Sequence, residues 1–218
     1  MIDLHTHTFL SDGVLVPAEL AQRASAAGYR VLGITDHVDP GTLRATIETT
    51  LRSCAAVQGQ MPLHIVPGVE ITYVPPALIA ETVQRARDIG AQLVVVHGES
   101  IVESVAEGTN RAAVDADIDL LAHPGVIDRR IVARAAERGI YLEISARAGH
   151  SLGNGRLVAV ARSVGALEFL VASSDAHGPG DLLTEALRRA VCLGAGLTQD
   201  EADQVERNAK SLWKKVQR

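Results

Sequence analysis

Short apolar runs rich in β-branched residues recur along the chain at 2–4, 31–35, 63–71, 92–96, 118–122, 140–145 and 167–173. Between them, at 17–27, 76–89, 130–138, 155–164 and 181–193, apolar residues return every third or fourth position, the period of an amphipathic helix. Gly28, Gly90, Gly139 and Gly165 stand just after four of these stretches, where a left-handed residue ends a helix before the next strand. Short strands alternating with helices predict an α/β fold with a mostly parallel sheet and crossover helices. Seven strands in series suit either an open doubly wound sheet or a closed barrel, and the periodicity does not choose. Residues 197–218 predict a last helix: Thr198-Gln199-Asp200-Glu201 is a capping-box pattern, and lysines gather near its C-terminal end. One domain over 1–218 is expected, with this helix packed on it.

The residues that follow each apolar run carry the chemistry. After the first come His5-Thr6-His7 and Ser11-Asp12-Gly13, and after the second Thr35-Asp36-His37. The third ends in Gly68-Val69-Glu70, the fourth in His97-Gly98-Glu99 and the fifth in His123-Pro124-Gly125. The sixth carries Glu143 and leads to Arg147, and the seventh gives Ser174-Asp175-Ala176-His177. In parallel βα folds the carboxyl ends of the strands share one side, so residues from 5 to 177 would converge there. Taken alone, any one of these histidines would cap a strand or bond a carbonyl, and a lone His-x-His says little. Together they form a ligand set. Six histidines and at least three carboxylates exceed the needs of one ion, which implies two or three divalent ions. Imidazole and carboxylate donors suit Zn, Mn or Fe equally, and Glu70 can bridge two ions through its two oxygens. His64, early in its run, is expected to be structural. His150 lies in a loop after the sixth run, where it touches either substrate or solvent.

Composition narrows the remaining possibilities. Hydrophobic residues make up 47% of the 218 and aromatics 3%, so the core must be built from Ala, Val, Leu and Ile. A net charge of −5 lacks the footprint of a dedicated nucleic-acid surface. It still admits a small anionic substrate, because bound ions supply positive charge locally. Cys54 and Cys192 form no CxxC pattern and read as buried thiols. The start, MIDLHTHT, is no export signal, and no run reaches the ~20 apolar residues of a membrane span. A cytoplasmic protein is expected; the sequence does not encode its oligomeric state. The first lysine is Lys210, so any cation near the strand ends must be arginine.

The segments Asp3-Leu4-His5-Thr6-His7-Thr8, Ser11-Asp12-Gly13, Gly33-Ile34-Thr35-Asp36-His37, Gly68-Val69-Glu70, Ala122-His123-Pro124-Gly125 and Ser174-Asp175-Ala176-His177 resemble, in order, the motifs of the PHP (polymerase and histidinol phosphatase) family. The resemblance runs from residue 2 to about 180. It implies a distorted, TIM-like (β/α)7 barrel with a trinuclear metal site that hydrolyses phosphoesters. Position by position, it implies one ion on His5, His7, Glu70 and Asp175, a second on Asp12, His37 and His177, and a third on Glu70, His97 and His123. The position of Asp12 varies between His and Asp in the family.

The expected reaction is hydrolysis of a small phosphate monoester, histidinol phosphate or similar, by a hydroxide bridging the ions and held by Glu70, Asp175 and His177. Arg147 is the first candidate for a bidentate phosphate clamp, and Arg111 and His150 are further substrate-binding candidates. Asn110 either bonds substrate or starts a helix, and Glu99 or Glu143 would orient a ligating histidine. The segments 72–76 and 99–110 are expected to border the mouth. The alternatives are a 3′–5′ exonuclease or nucleotide phosphoesterase, disfavoured by acidic charge and few aromatics, and a non-catalytic metal-binding regulatory domain. An amidohydrolase bridged by carbamylated lysine is excluded by the absence of lysine before Lys210.

Overall fold

A computed structural model describes residues 1–217 of the chain. The strands are β1 (Ile2–Asp3), β2 (Val31–Ile34), β3 (His37–Val38), β4 (His64–Ile71), β5 (Leu93–His97), β6 (Leu120–Ala122), β7 (Tyr141–Ser145) and β8 (Leu170–Ser173). The helices are α1 (Pro17–Ala26), α2 (Leu43–Val57), α3 (Pro76–Ile89), α4 (Thr109–Asp115), α5 (Arg129–Glu137), α6 (Asn154–Val164), α7 (Glu185–Gly194) and α8 (Gln199–Val216). All pairings are parallel, in the order β1-β2-β4-β5-β6-β7-β8. β3 continues β2 in one register, with Ile34 opposite Pro67 and His37 opposite Glu70. The two pieces therefore act as one interrupted strand, which gives seven. A parallel bridge between Thr6 and Ala176 joins the first strand to the last, so the sheet rolls into a nearly closed barrel rather than an open one. His7 N–H donates to Ala176 O (2.8 Å) and Asp175 N–H to His5 O (3.1 Å) along that seam.

Side-chain alternation explains the layering. Leu93 and Val95 of β5 pack with Val66, Leu120, Tyr141 and Val171 inside the barrel, whereas Val94 and Val96 face the helices. α8 lays Ala209, Leu212 and Val216 against the interior set, and its capping box forms as expected. Arg218 lies outside the described residues.

Other expected boundaries move for local reasons. Residues 167–169 wind into a 3-10 turn, so β8 starts at Leu170. The helix expected from 181 starts at Glu185, where the Thr184 hydroxyl accepts from Leu187 N–H. Asp181 instead accepts from the N–H groups of His177 and Gly178. Gly28, Gly90, Gly139 and Gly165 all have positive φ. Cys54 and Cys192 are buried free thiols. Among the described residues no helix is long and apolar enough to cross a membrane.

Candidate metal centre

Seven of the eight histidines meet at the carboxyl ends of the strands; His64, at the start of β4 beside Trp213, does not. At the centre stands Glu70, fully buried on β4. Its Oε2 lies 3.4 Å from His5 Nε2 and 3.7 Å from His7 Nε2, and its Oε1 lies 3.5 Å from His123 Nε2. Neither oxygen has a hydrogen-bond partner. Oε2 is 2.7 Å from His37 Nδ1, but at an angle that makes no hydrogen bond; that nitrogen bonds Thr72 Oγ1 at 2.7 Å. Asp175 lies opposite, with Oδ1 3.2 Å from His7 Nε2 and Oδ2 3.7 Å from His123 Nε2. His5 and His7 face each other with Nε2 atoms 3.1 Å apart.

The predicted residues fall into three neighbouring groups. His5, His7, Glu70 and Asp175 surround one point, as the resemblance implies. Asp12 Oδ1 lies 3.1 Å from His177 Nε2 and 3.5 Å from His37 Nε2, and His7 joins them to form the second group. The third differs from expectation. His97 and His123 gather with His150, while Glu70 reaches only the His123 edge. His150 is thus no solvent-facing loop residue: it is 6% exposed, with its ring stacked 4.0 Å from that of His123.

Surrounding acceptors aim the rings. Glu143, fully buried on β7, accepts from His5 Nδ1 at 2.7 Å and from His123 N–H at 3.1 Å. His97 Nδ1 lies 3.0 Å from Gly98 O, and His177 Nδ1 lies 2.9 Å from Asp175 O. This arrangement, with Nδ1 engaged and Nε2 pointing inward, is the one that holds ligating imidazoles. Asp36, despite its place in Thr35-Asp36-His37, is committed elsewhere, accepting from Thr8 N–H, Thr8 Oγ1 and Ser11 Oγ at 2.7 to 2.8 Å.

Two further expectations are revised. Glu99 orients no histidine: it accepts from Asn110 N–H, while its own N–H donates to the Asn110 side chain. Arg111, a substrate-binding candidate, is exposed in a separate surface cleft with Asp115, Asp128, Arg130 and Arg134. One helical step turns a side chain by about 100°, and on α4 it is Asn110 that faces inward and bonds Pro124 O. Arg147 does reach the mouth, with Nη1 2.6 Å from His177 Nδ1 and 3.3 Å from Asp175 O.

The electrostatics are those of a crowded site. Burial opposes charge on His5, yet the carboxylates of Glu143, Glu70 and Asp175 outweigh it and hold its pKa well above the ordinary value. Burial, with the neighbouring His37 and His5, pushes His7 well below, and burial does the same to His123. Burial pushes Asp175 up to about 7, whereas for Glu70 it is outweighed by His5 and His37, which keep the carboxyl well below its usual range. Tyr73, His123 and Asp175, the non-glycine residues with positive φ among those described, all stand at this mouth. Each such conformation costs of order 1–3 kcal/mol and persists only where its surroundings enforce it.

A residue absent from the sequence expectations completes the rim. Glu103, between β5 and α4, has Oε2 2.9 Å from His97 Nε2 and accepts from Tyr73 Oη at 3.0 Å. The His97 hydrogen bond outweighs partial burial and holds its carboxyl at about 2. Only its place within 99–110, the segment expected at the mouth, hinted at it. Beside it opens a groove of about 740 Å³ lined by Asp12, His37, Thr42, Thr72, Tyr73 and His97 among others.

Comparison with known proteins places this geometry in context. The sequence profile described as PHP domain matches residues 3–173. An uncharacterized protein of Methanocaldococcus jannaschii is 42% identical over 203 residues, covering 92% of each chain. A 3′,5′-nucleoside bisphosphate phosphatase of Chromobacterium violaceum is 34% identical over 42% of this chain and 38% of its own length. A 5′-3′ exoribonuclease of Salmonella typhimurium is 42% identical over 33% of this chain and 22% of its own. Among solved structures, histidinol phosphate phosphatase of Lactococcus lactis, complexed with zinc, L-histidinol and phosphate, superposes with a TM-score of 0.58 at 15% identity, over 97% of this chain and 93% of that one.

Proposed function

Because the chain belongs to the PHP domain family, we propose that it is a metal-dependent phosphoesterase acting on the phosphate monoester of a small molecule. One observation carries the reading. Glu70 is a fully buried carboxylate with no hydrogen-bond partner on either oxygen and imidazole Nε2 atoms around it. A buried charge left so costs several kcal/mol unless cations compensate it. The donors fit divalent zinc, manganese or iron: His5, His7, Glu70 and Asp175 would hold one ion, Asp12, His37 and His177 a second, and Glu70, His97 and His123 a third.

Bound there, the ions would lower the pKa of a water molecule and neutralise charge on the phosphoryl oxygens. The chain's own residues supply the rest. Glu143 fixes the His5 ring and the His123 backbone, so two ligands keep their direction while substrate exchanges. Arg147 presents a guanidinium at the rim, where a phosphoryl oxygen would arrive. The groove past Tyr73 receives the leaving alcohol. No lysine or arginine lines it, which favours a compact monoester over a polyanionic strand.

Histidinol phosphate and nucleotide monoesters are the first substrates to offer, since the zinc- and histidinol-containing neighbour and the bisphosphate phosphatase act on such groups. The test is metal content by mass spectrometry, with p-nitrophenyl phosphate turnover on the same sample. Two or more equivalents, with turnover that a chelator abolishes, support the reading. Less than one equivalent after zinc or manganese is offered, with no turnover, moves the non-catalytic binding domain to the front.

A further inference from the structure

His150 and Glu103 lie outside the family motifs, yet both face the third group. His150 sits in a 3-10 turn, His150–Gly153, after β7. Its Nε2 is 3.8 Å from Asp175 Oδ2, the same oxygen that His123 Nε2 approaches to 3.7 Å, so the two stacked rings present the same edge inward. Its Nε2 is also 3.4 Å from Glu103 Oε1, while Glu103 Oε2 is 2.9 Å from His97 Nε2. One ring nitrogen from each of His97, His123 and His150 lies within 4.8 Å of the other two. Two nitrogens sharing one tetrahedral zinc ion are about 3.4 Å apart, so the rings would close by up to about 1.4 Å to take one up. His150 Nδ1 is taken by Ser100 Oγ at 2.6 Å, which, with the proton on Nδ1, leaves the Nε2 lone pair directed inward. At 6% exposure the ring reaches substrate only through whatever lies in front of it.

Resting on the metal-dependent reading above, we propose that His150 is a ligand of the third ion, completing a three-imidazole set with His97 and His123, and that the Glu103 carboxylate closes the coordination. With Glu70 Oε1, 3.5 Å from His123 Nε2, three imidazole nitrogens and two carboxylates then offer a mixed set suited to zinc. Glu103 rides on the loop between β5 and α4 and is one-third exposed. It is therefore the ligand positioned to give way when a phosphoryl oxygen enters.

The test strips the full-length protein with chelator, reloads it with Zn²⁺ or Co²⁺, and counts ions by mass spectrometry. Affinities come from competition with a chromophoric chelator, and the Co²⁺ visible spectrum reports coordination. His150→Ala is expected to lose one equivalent and keep the others, with a corresponding loss of cobalt absorption. Ser100→Ala is expected to keep the count and weaken the weakest ion roughly 10–100-fold. The serine variant decides the matter alone if His150→Ala fails to fold. Wild-type count and affinity in both variants would overturn the assignment while leaving the phosphoesterase standing. A wild-type protein that takes up no metal would instead sink the parent reading.

Discussion

Glu143→Gln tests the site's construction most sharply, because it changes shape least. Wild-type Glu143 uses both oxygens as acceptors, one for the His5 ring at 2.7 Å and one for the His123 backbone N–H at 3.1 Å. Glutamine keeps one acceptor and turns the other end into a donor. Whichever way the amide sits, a donor faces a donor in a fully buried place. An unsatisfied buried polar group costs about 1–3 kcal/mol. Loss of a carboxylate behind a ligating imidazole lowers metal affinity by about 10–100-fold, or about 1.4–2.8 kcal/mol. Zinc titration against a competing chelator reads the second quantity, and urea unfolding of the metal-free protein reads the first. The metal-free comparison also has a pH signature. His5 has a folded pKa raised above its unfolded value: burial lowers it, but the carboxylates outweigh burial, Glu143 foremost among them. That stability is fully present below about 6.5 and lost as pH rises through the folded pKa. The variant's deficit should therefore be largest on the acidic side and shrink on the alkaline side. Wild-type zinc affinity together with unchanged stability would refute the role given to Glu143.

Three other outcomes are expected. Arg147→Ala should lower kcat/KM by about 10–100-fold, as loss of charge-assisted hydrogen bonds to phosphate implies, with metal content unchanged; unaltered kinetics removes the residue from the site. Gly98→Ala should unfold the protein or destabilise it by about 3 kcal/mol or more, since the added Cβ would lie 2.3 Å from Ala122 O and 2.7 Å from Pro124 Cα; a wild-type melting temperature would contradict the close approach. Glu201→Ala should cost about 1 kcal/mol at neutral pH through its part in the α8 capping box. The Arg162 guanidinium and the Thr198 N–H hold this carboxyl at about 2, so the difference from wild type is present above pH 4.5 and fades as pH falls towards 2; a difference that persists at pH 2 would count against this cause.

The sequence made legible what strand geometry fixes. A residue at the end of a parallel strand has few places to go, so His5, His7, Glu70, His97 and Asp175 could be brought together without coordinates. Closure could not be read from periodicity, because it rests on one bridge, Thr6 to Ala176, that leaves no periodic signal; the barrel was legible only through the family resemblance. Loop contributions were equally silent. His150 and Glu103 reach the third group through turns whose path no hydrophobic repeat encodes. Arg111 failed by one position on a helix whose inward face belongs to Asn110. α2, with no acidic residue in its first turn and no basic residue in its last, lacked the end signals that delimit a helix in advance.

The seam between the first and last strands carries a further consequence. His5 and His7 stand on one side of it and Asp175 and His177 on the other, some 170 residues apart in sequence. An ion bound by His7 and Asp175 is then also a covalent-like stitch across the widest loop in the barrel. Such a cross-link removes several kcal/mol of freedom from the unfolded chain, as a disulfide closing a loop of that span does. Chelation would thus do more than stop the chemistry: it would cut the fastening between the two ends of the sheet, and amide exchange should rise first at His7 and Asp175, whose N–H groups bond across the seam.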